Sequence, residues 1–169
     1  EELLVDYALS MNGLFEDYSQ RVIEDILQDV KSNIDRLDSL EGVKCSREYP
    51  LQPFEGSPRA KHEPDHLLHG PLGPIAILDS KYYEEGSNPA NESGPRSRMF
   101  TYAYLTGCNR MAFLCPQLEA MDMAVQQTDG VVNVVTSSDE FTCERYRSSV
   151  REYVFDALAE EHPELRVFE

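Results

Sequence analysis

The sequence predicts a mixed α/β or α+β fold, and three observations carry that prediction. A long amphipathic stretch opens the chain. Two apolar runs joined by Gly70-Pro71-Leu72-Gly73 read as a hairpin near its middle, and helical and extended patterns alternate afterwards. Strands of this kind build a sheet, and the amphipathic helices must bury their apolar stripes against it. At 169 residues the chain reads as one domain, residues 1–169, with a single core.

The elements follow in order. Tyr7, Met11, Leu14, Tyr18, Val22 and Ile26 recur at helical spacing and predict one or two amphipathic helices over residues 3–30. After a polar stretch ending near Gly42, residues 43–49 read as a strand. Residues 50–64, punctuated by Pro53, Gly56 and Pro58, read as a loop. Residues 66–68 and 74–83 form the predicted hairpin. Residues 84–95 are rich in Gly, Asn, Ser and Pro and predict a flexible loop. A helix over 97–106 ends near Gly107, strands cover 111–115 and 131–136, and a closing helix covers 144–160. There is no internal repeat.

The hairpin carries the chemistry. In an extended strand residues two apart share a face, so Asp79 and Lys81 project together while Ser80 points the other way. If the strand following Asp65 pairs beside it, a second carboxylate reaches the same spot, and two hard oxygen ligands beside a cation suit Mg2+ or Mn2+. The backbone carbonyl of Ser80 is a further ligand candidate. Phosphodiester cleavage needs an activated water and neutralisation of charge on the phosphoryl oxygens, which a carboxylate-bound divalent ion assists. Lys81, kept charged by its acidic neighbours, is placed to orient or help deprotonate that water and to offset phosphate charge. Asp-x-Lys alone is a common tripeptide. Here the apolar run from Pro74 to Leu78 delivers it at the polar end of a buried strand.

Pro64-Asp65, a short spacer and Asp79-Ser80-Lys81 resemble the PD-(D/E)XK nuclease superfamily, and Leu78-Asp79-Ser80-Lys81-Tyr82-Tyr83 is most similar to the nuclease domain of the McrC family, the cleaving subunits of McrBC modification-dependent restriction systems. Leu14-Phe15-Glu16-Asp17-Tyr18 resembles that family's first-helix segment, which implies that Glu16 is an auxiliary acid reaching toward the metal. Arg98-Met99-Phe100-Thr101-Tyr102-Ala103 resembles its Gln-Met-Tyr-Ala-Tyr-Ala helix, with Arg98 replacing the Gln and Tyr102 retained, and Phe113-Leu114-Cys115-Pro116 resembles the strand that follows. Arg98 and Tyr102, one helical turn apart, then face the site as auxiliary or substrate-binding groups.

The resemblance implies a restriction-endonuclease-like mixed β-sheet flanked by helices, a Mg2+-dependent endonuclease acting on DNA, methylated DNA included, and a McrB-like GTPase ring partner. The chain contains no Gly-x-x-x-x-Gly-Lys-Ser/Thr loop, so any motor lies on another chain. It begins without Met and without the region that engages the motor in that family, and is read as a fragment of a longer chain. Two alternatives stand beside this reading: a repair or recombination nuclease of the same superfamily, and a non-catalytic DNA- or protein-binding module.

Composition sets one objection. The formal net charge is −16, with 31 Asp and Glu against 15 Lys and Arg, whereas DNA affinity comes largely from basic contacts to phosphates. Three resolutions are open: a salt-adapted host, a local basic strip from Arg96, Arg98 and Arg110 or from Arg145, Arg147 and Arg151, or DNA delivered by a partner. Cys45, Cys108, Cys115 and Cys143 lack cluster spacing and read as structural thiols. His62, His66 and His69 read as surface or edge residues rather than zinc ligands. No membrane span or signal peptide is apparent, and a cytoplasmic location is expected.

Overall fold

The computed structural model describes residues 2–33, 40–56, 61–82, 87–138 and 140–168, and the side chains of these except 2–10, 167 and 168. The elements in order are α1 (Glu2–Asn33), β1 (Lys44–Arg47), β2 (His66–Gly70), β3 (Gly73–Ser80), α2 (Ser93–Thr106), β4 (Arg110–Cys115), β5 (Met121–Ala124), β6 (Val131–Thr136) and α3 (Cys143–Glu161), followed by a 3-10 helix, Pro163–Phe168. The strands form one six-stranded sheet in the order β1-β2-β3-β4-β6-β5. The pairs β1–β2, β2–β3 and β5–β6 are antiparallel, and β3–β4 and β4–β6 are parallel. The predicted mixed sheet flanked by helices is therefore what forms.

Alternation along the strands feeds two cores. Leu68, Ala76, Leu78, Ala112, Leu114 and Val135 pack toward α1 and α3, while Leu67, Ile77, Met111, Phe113, Val132 and Val134 pack toward α2. Because both faces are covered, β3 and β4 read as nearly continuous apolar runs, as central parallel strands do.

Four departures from expectation have physical causes. The buried stripe of α1 runs through Phe15, Ser19, Val22, Ile23, Ile26, Leu27 and Val30, and Leu14 is 58% exposed. The Phe15 and Ile23 side chains outweigh Leu14 in choosing the face, while Val22 and Ile26 of the predicted stripe are buried as expected. Helix α2 begins at Ser93 rather than 97, absorbing the end of the predicted loop. Pro95 sits in its first turn, where a missing N–H costs nothing. Strand β3 ends at Ser80, although Lys81 N still donates to Leu114 O at 2.8 Å. Strand β5 has no counterpart in the sequence reading: Met121-Asp122-Met123-Ala124 is a half-exposed edge strand built from residues with helical rather than extended preference. The predicted helix end is confirmed by Gly107, whose φ of 69° lets its N–H return to Ala103 O. Residues 83–86, within the predicted strand end and loop, lie outside the described residues.

Candidate active site

The site forms where β3 leaves the sheet. Asp79 and Ser80 pair with Phe113 and Leu114 of β4, and Asp65 immediately precedes β2, whose His66 pairs with Leu78. By alternation Asp79 shares the α2-facing side of Ile77, and Ser80 the α1-facing side of Leu78. Both expectations for this strand hold in the side-chain contacts. Lys81 Nζ lies 2.6 Å from Asp79 Oδ2 and 3.5 Å from Asp65 Oδ2, and donates to Ser80 O at 3.1 Å. Asp65 Oδ2 also accepts from Ser80 N at 2.8 Å. The two carboxylates and the carbonyl named as ligand candidates thus converge around one ammonium.

Burial sets the electrostatics. Asp79 is 4% and Lys81 8% exposed. Burial first, and repulsion from Asp79 second, push the Asp65 carboxyl up to about 7. Burial pulls the Lys81 amine down, but Asp79 and Asp65 more than offset this and hold it above its ordinary value. The donor set suits a hard divalent cation, whose charge would relieve the repulsion between the aspartates as the ammonium does here. No group of three His, Cys, Asp or Glu side chains is drawn into a ready metal cage among the described residues. Two carboxylates and a backbone oxygen are what the hairpin supplies.

Glu16 stands at the rim. Asn12 Nδ2 donates to its Oε1 at 2.7 Å, and Arg47 lies 3.6 Å from its Oε2. Burial raises its pKa while Lys81 and Arg47 oppose the rise, so Glu16 is within the field of Lys81 but outside its contacts. Asn12 Oδ1 also accepts from Tyr82 N at 3.2 Å, tying α1 to the chain just past Lys81. From the other side, Tyr102 is buried and its hydroxyl donates to Glu63 O at 3.1 Å. Burial, then Asp79, raises its pKa. Arg98 is exposed, and its charge acts on both Lys81 and Tyr102. No ion pair or hydrogen bond holds it among the described residues.

Behind the strand lies a polar chain that the sequence reading missed. His66, expected at a surface or edge, is fully buried. Its Nδ1 is 2.7 Å from Gln20 Oε1 and its Nε2 2.7 Å from Ser80 Oγ. Burial depresses its pKa to about 3, so the ring is neutral. His69 is tied to Ser46 Oγ at 2.7 Å, and His62 meets the Tyr102 ring edge-on with centroids 6.4 Å apart. The signal for this chain is Asn12, Glu16 and Gln20 at four-residue spacing, a polar row beside the apolar stripe of an amphipathic helix.

The proposed basic strips are partly neutralised. Arg147 pairs with Asp25 at 3.1 Å and Asp29 at 3.3 Å, Arg151 with Asp29 at 3.5 Å, and Arg110 with Glu160. Arg96 donates to the carbonyls of Ala90 and Asn91. All four cysteines are free thiols, with Cys108 and Cys115 buried and Cys143 exposed.

Sheet, flanking helices and strand-end cluster together define a restriction-endonuclease-like fold. The structure is similar to one chain of the solved half-complex from the tetradecameric assembly of Thermococcus gammatolerans McrB AAA+ hexamers with bound McrC, with a TM-score of 0.51 and 13% sequence identity over 84% of this chain and 33% of that one. The chain therefore spans about a third of the length of that chain, and the likeness is one of fold. No protein-family model and no curated protein matches the sequence. No helix among the described residues is long and apolar enough to cross a membrane.

Proposed function

We propose that this chain is the nuclease domain of a McrC-like subunit, a metal-dependent DNA endonuclease working with a McrB-like GTPase ring. The observation that carries the proposal is the convergence of Asp65, Asp79 and the Ser80 carbonyl on Lys81 at the end of a central strand. The fold likeness to a chain of a McrB–McrC assembly supports the partner.

Asp65, Asp79 and Ser80 O would hold Mg2+ or Mn2+, with Glu16 as an auxiliary acid. When bound, the ion supplies an acidified water and charge neutralisation at the phosphoryl group. Lys81 works through its charge: two adjacent carboxylates keep it an ammonium near neutral pH, which favours orienting water and phosphate over removing a proton. Arg98, exposed one helical turn before Tyr102, would meet a phosphate with its guanidinium fork. With Arg110, Arg147 and Arg151 committed to carboxylates, DNA affinity is supplied mainly by the partner.

The test is cleavage of methylated plasmid DNA with Mg2+, GTP and a McrB-like ring. The wild type is expected to linearise the plasmid, and folded Asp79→Ala and Lys81→Ala variants to leave it intact. Equal Mg2+-dependent cleavage by all three would overturn the proposal, and full activity that ignores the ring would remove the partner.

A further inference from the structure

The hydrogen atoms of the buried chain behind β3 are determined by its end. Gln20 Nε2 faces two groups that can only accept, Glu24 Oε1 at 2.7 Å and Cys45 O at 3.1 Å. That fixes the amide orientation and turns Oε1, an acceptor, toward His66 Nδ1 at 2.7 Å. His66 Nδ1 must therefore carry the proton. Its Nε2 is left as an acceptor, and Ser80 Oγ, 2.7 Å away, donates to it. Every link has one direction, from Ser80 through His66 to Gln20 and onto the Glu24 carboxylate of α1 and the Cys45 carbonyl of β1. Gln20 is 8% exposed and His66 and Ser80 are fully buried, so the bonds of His66 lie in a low-dielectric interior that strengthens them.

The residue held by this chain contributes twice to the site. Ser80 N orients Asp65 Oδ2 at 2.8 Å, and Ser80 O faces the Lys81 ammonium at 3.1 Å in the candidate ligand set. Resting on the nuclease reading above, we infer that His66 and Gln20 are positioning residues that lock the Ser80 peptide, and through it the metal-binding geometry of Asp65 and the Ser80 carbonyl. Outer partners of this kind change metal affinity by about 10–100-fold when removed.

Binding of Mn2+ to the full chain, followed by electron paramagnetic resonance without DNA, tests the inference, with circular dichroism and thermal melting reporting the fold. His66→Leu is expected to weaken Mn2+ binding by about tenfold or more. His66→Gln, which keeps an acceptor near Nε2, is expected to restore most of it. Ser80→Ala removes the hydroxyl without altering the backbone and should weaken binding to a similar extent, and the S80A/H66L double variant should lose no more than either single one. Should His66→Leu fail to fold, Ser80→Ala carries the comparison. Wild-type binding with unchanged affinity in folded Ser80→Ala and His66→Leu overturns the positioning role alone. Absence of Mn2+ binding by the wild type overturns the nuclease reading, and this inference with it.

Discussion

Lys81 Nζ sits 2.6 Å from Asp79 Oδ2, two residues away on the same side of one chain, and this short contact organises the candidate site. The ammonium draws together two carboxylates that would otherwise repel. Replacing it with a neutral side chain removes charge from the region where phosphate is proposed to react. Lys81→Met is expected to lower kcat by on the order of 10²–10³, the usual loss for one charge-stabilising donor. Single-turnover cleavage with a folded variant measures it, and an unchanged rate would show that Lys81 is structural.

Acid stability separates two buried groups of opposite sign. Asp65 has a folded pKa raised to about 7 from 3.8, so its contribution is fully present below about 4 and is lost as pH rises through about 7. His66 has a folded pKa lowered to about 3 from 6.5, so its contribution is present above about 6.5 and lost as pH falls toward 3. Between pH 4 and 6.5 the two oppose each other. In metal-free buffer Asp65→Asn is therefore expected to lose stability on acidification more steeply than the wild type, read as the difference between the two Tm–pH curves. Superimposable curves over this range would show that Asp65 ionises normally. Mg2+ is expected to lower the effective pKa of Asp65 by competing with its proton, so that added Mg2+ raises the wild-type Tm more at pH 8 than at pH 5.

The ion pairs of the arginines predict an uneven response to salt. Arg98→Ala is expected to reduce the slope of log affinity for duplex DNA against log salt by about 0.9, the value for one lost phosphate contact. Arg147→Ala should leave the slope nearly unchanged because its guanidinium is already engaged by Asp25 and Asp29. Fluorescence anisotropy titrations across salt concentrations, with the ring partner present, make the comparison. Equal slopes for both variants and the wild type would remove Arg98 from the DNA contact.

Helix α1 is joined to α3 through a buried hydroxyl pair, Ser19 Oγ and Tyr146 Oη at 2.7 Å, both residues fully buried. Tyr146→Phe leaves the Ser19 hydroxyl without its partner and is expected to cost about 1–3 kcal/mol. Ser19→Ala combined with Tyr146→Phe should be milder than the sum of the single changes, since neither group is then orphaned. Urea unfolding of the three variants measures this, and strict additivity would argue that the pair is not coupled.

The central strands were legible because burial on both faces leaves continuous apolar runs, and Asp79 and Lys81 because a charged pair interrupts such a run at its end. Glu16, Arg98 and Tyr102 were named only through resemblance, since a lone acid or arginine on a helix carries no signal of what it faces. His66 escaped for a different reason. A histidine beside an exposed-looking Asp65 reads as polar surface, and only the pairing of β2 with β3 and the docking of Gln20 reveal that it is enclosed. Strand β5 escaped because its extended form comes from pairing with β6 rather than from its own residues. The orientation of α1 was misjudged at Leu14 because adjacent apolar residues at 14 and 15 leave the face undecided until Phe15 meets Tyr146 and Tyr82.

Helix α1 runs 32 residues, about 48 Å, and along its row Asn12 meets Tyr82 N, Glu16 meets Arg47 and Gln20 meets His66. Sliding the helix by a single residue would shift it only about 1.5 Å, yet would turn all three side chains by about 100° away from their partners. The row therefore acts like the cuts of a key. Intermediate positions offer no partial fit, so α1 has one seating on the sheet in which the tether to Tyr82, the acid at the rim and the support behind Ser80 engage together.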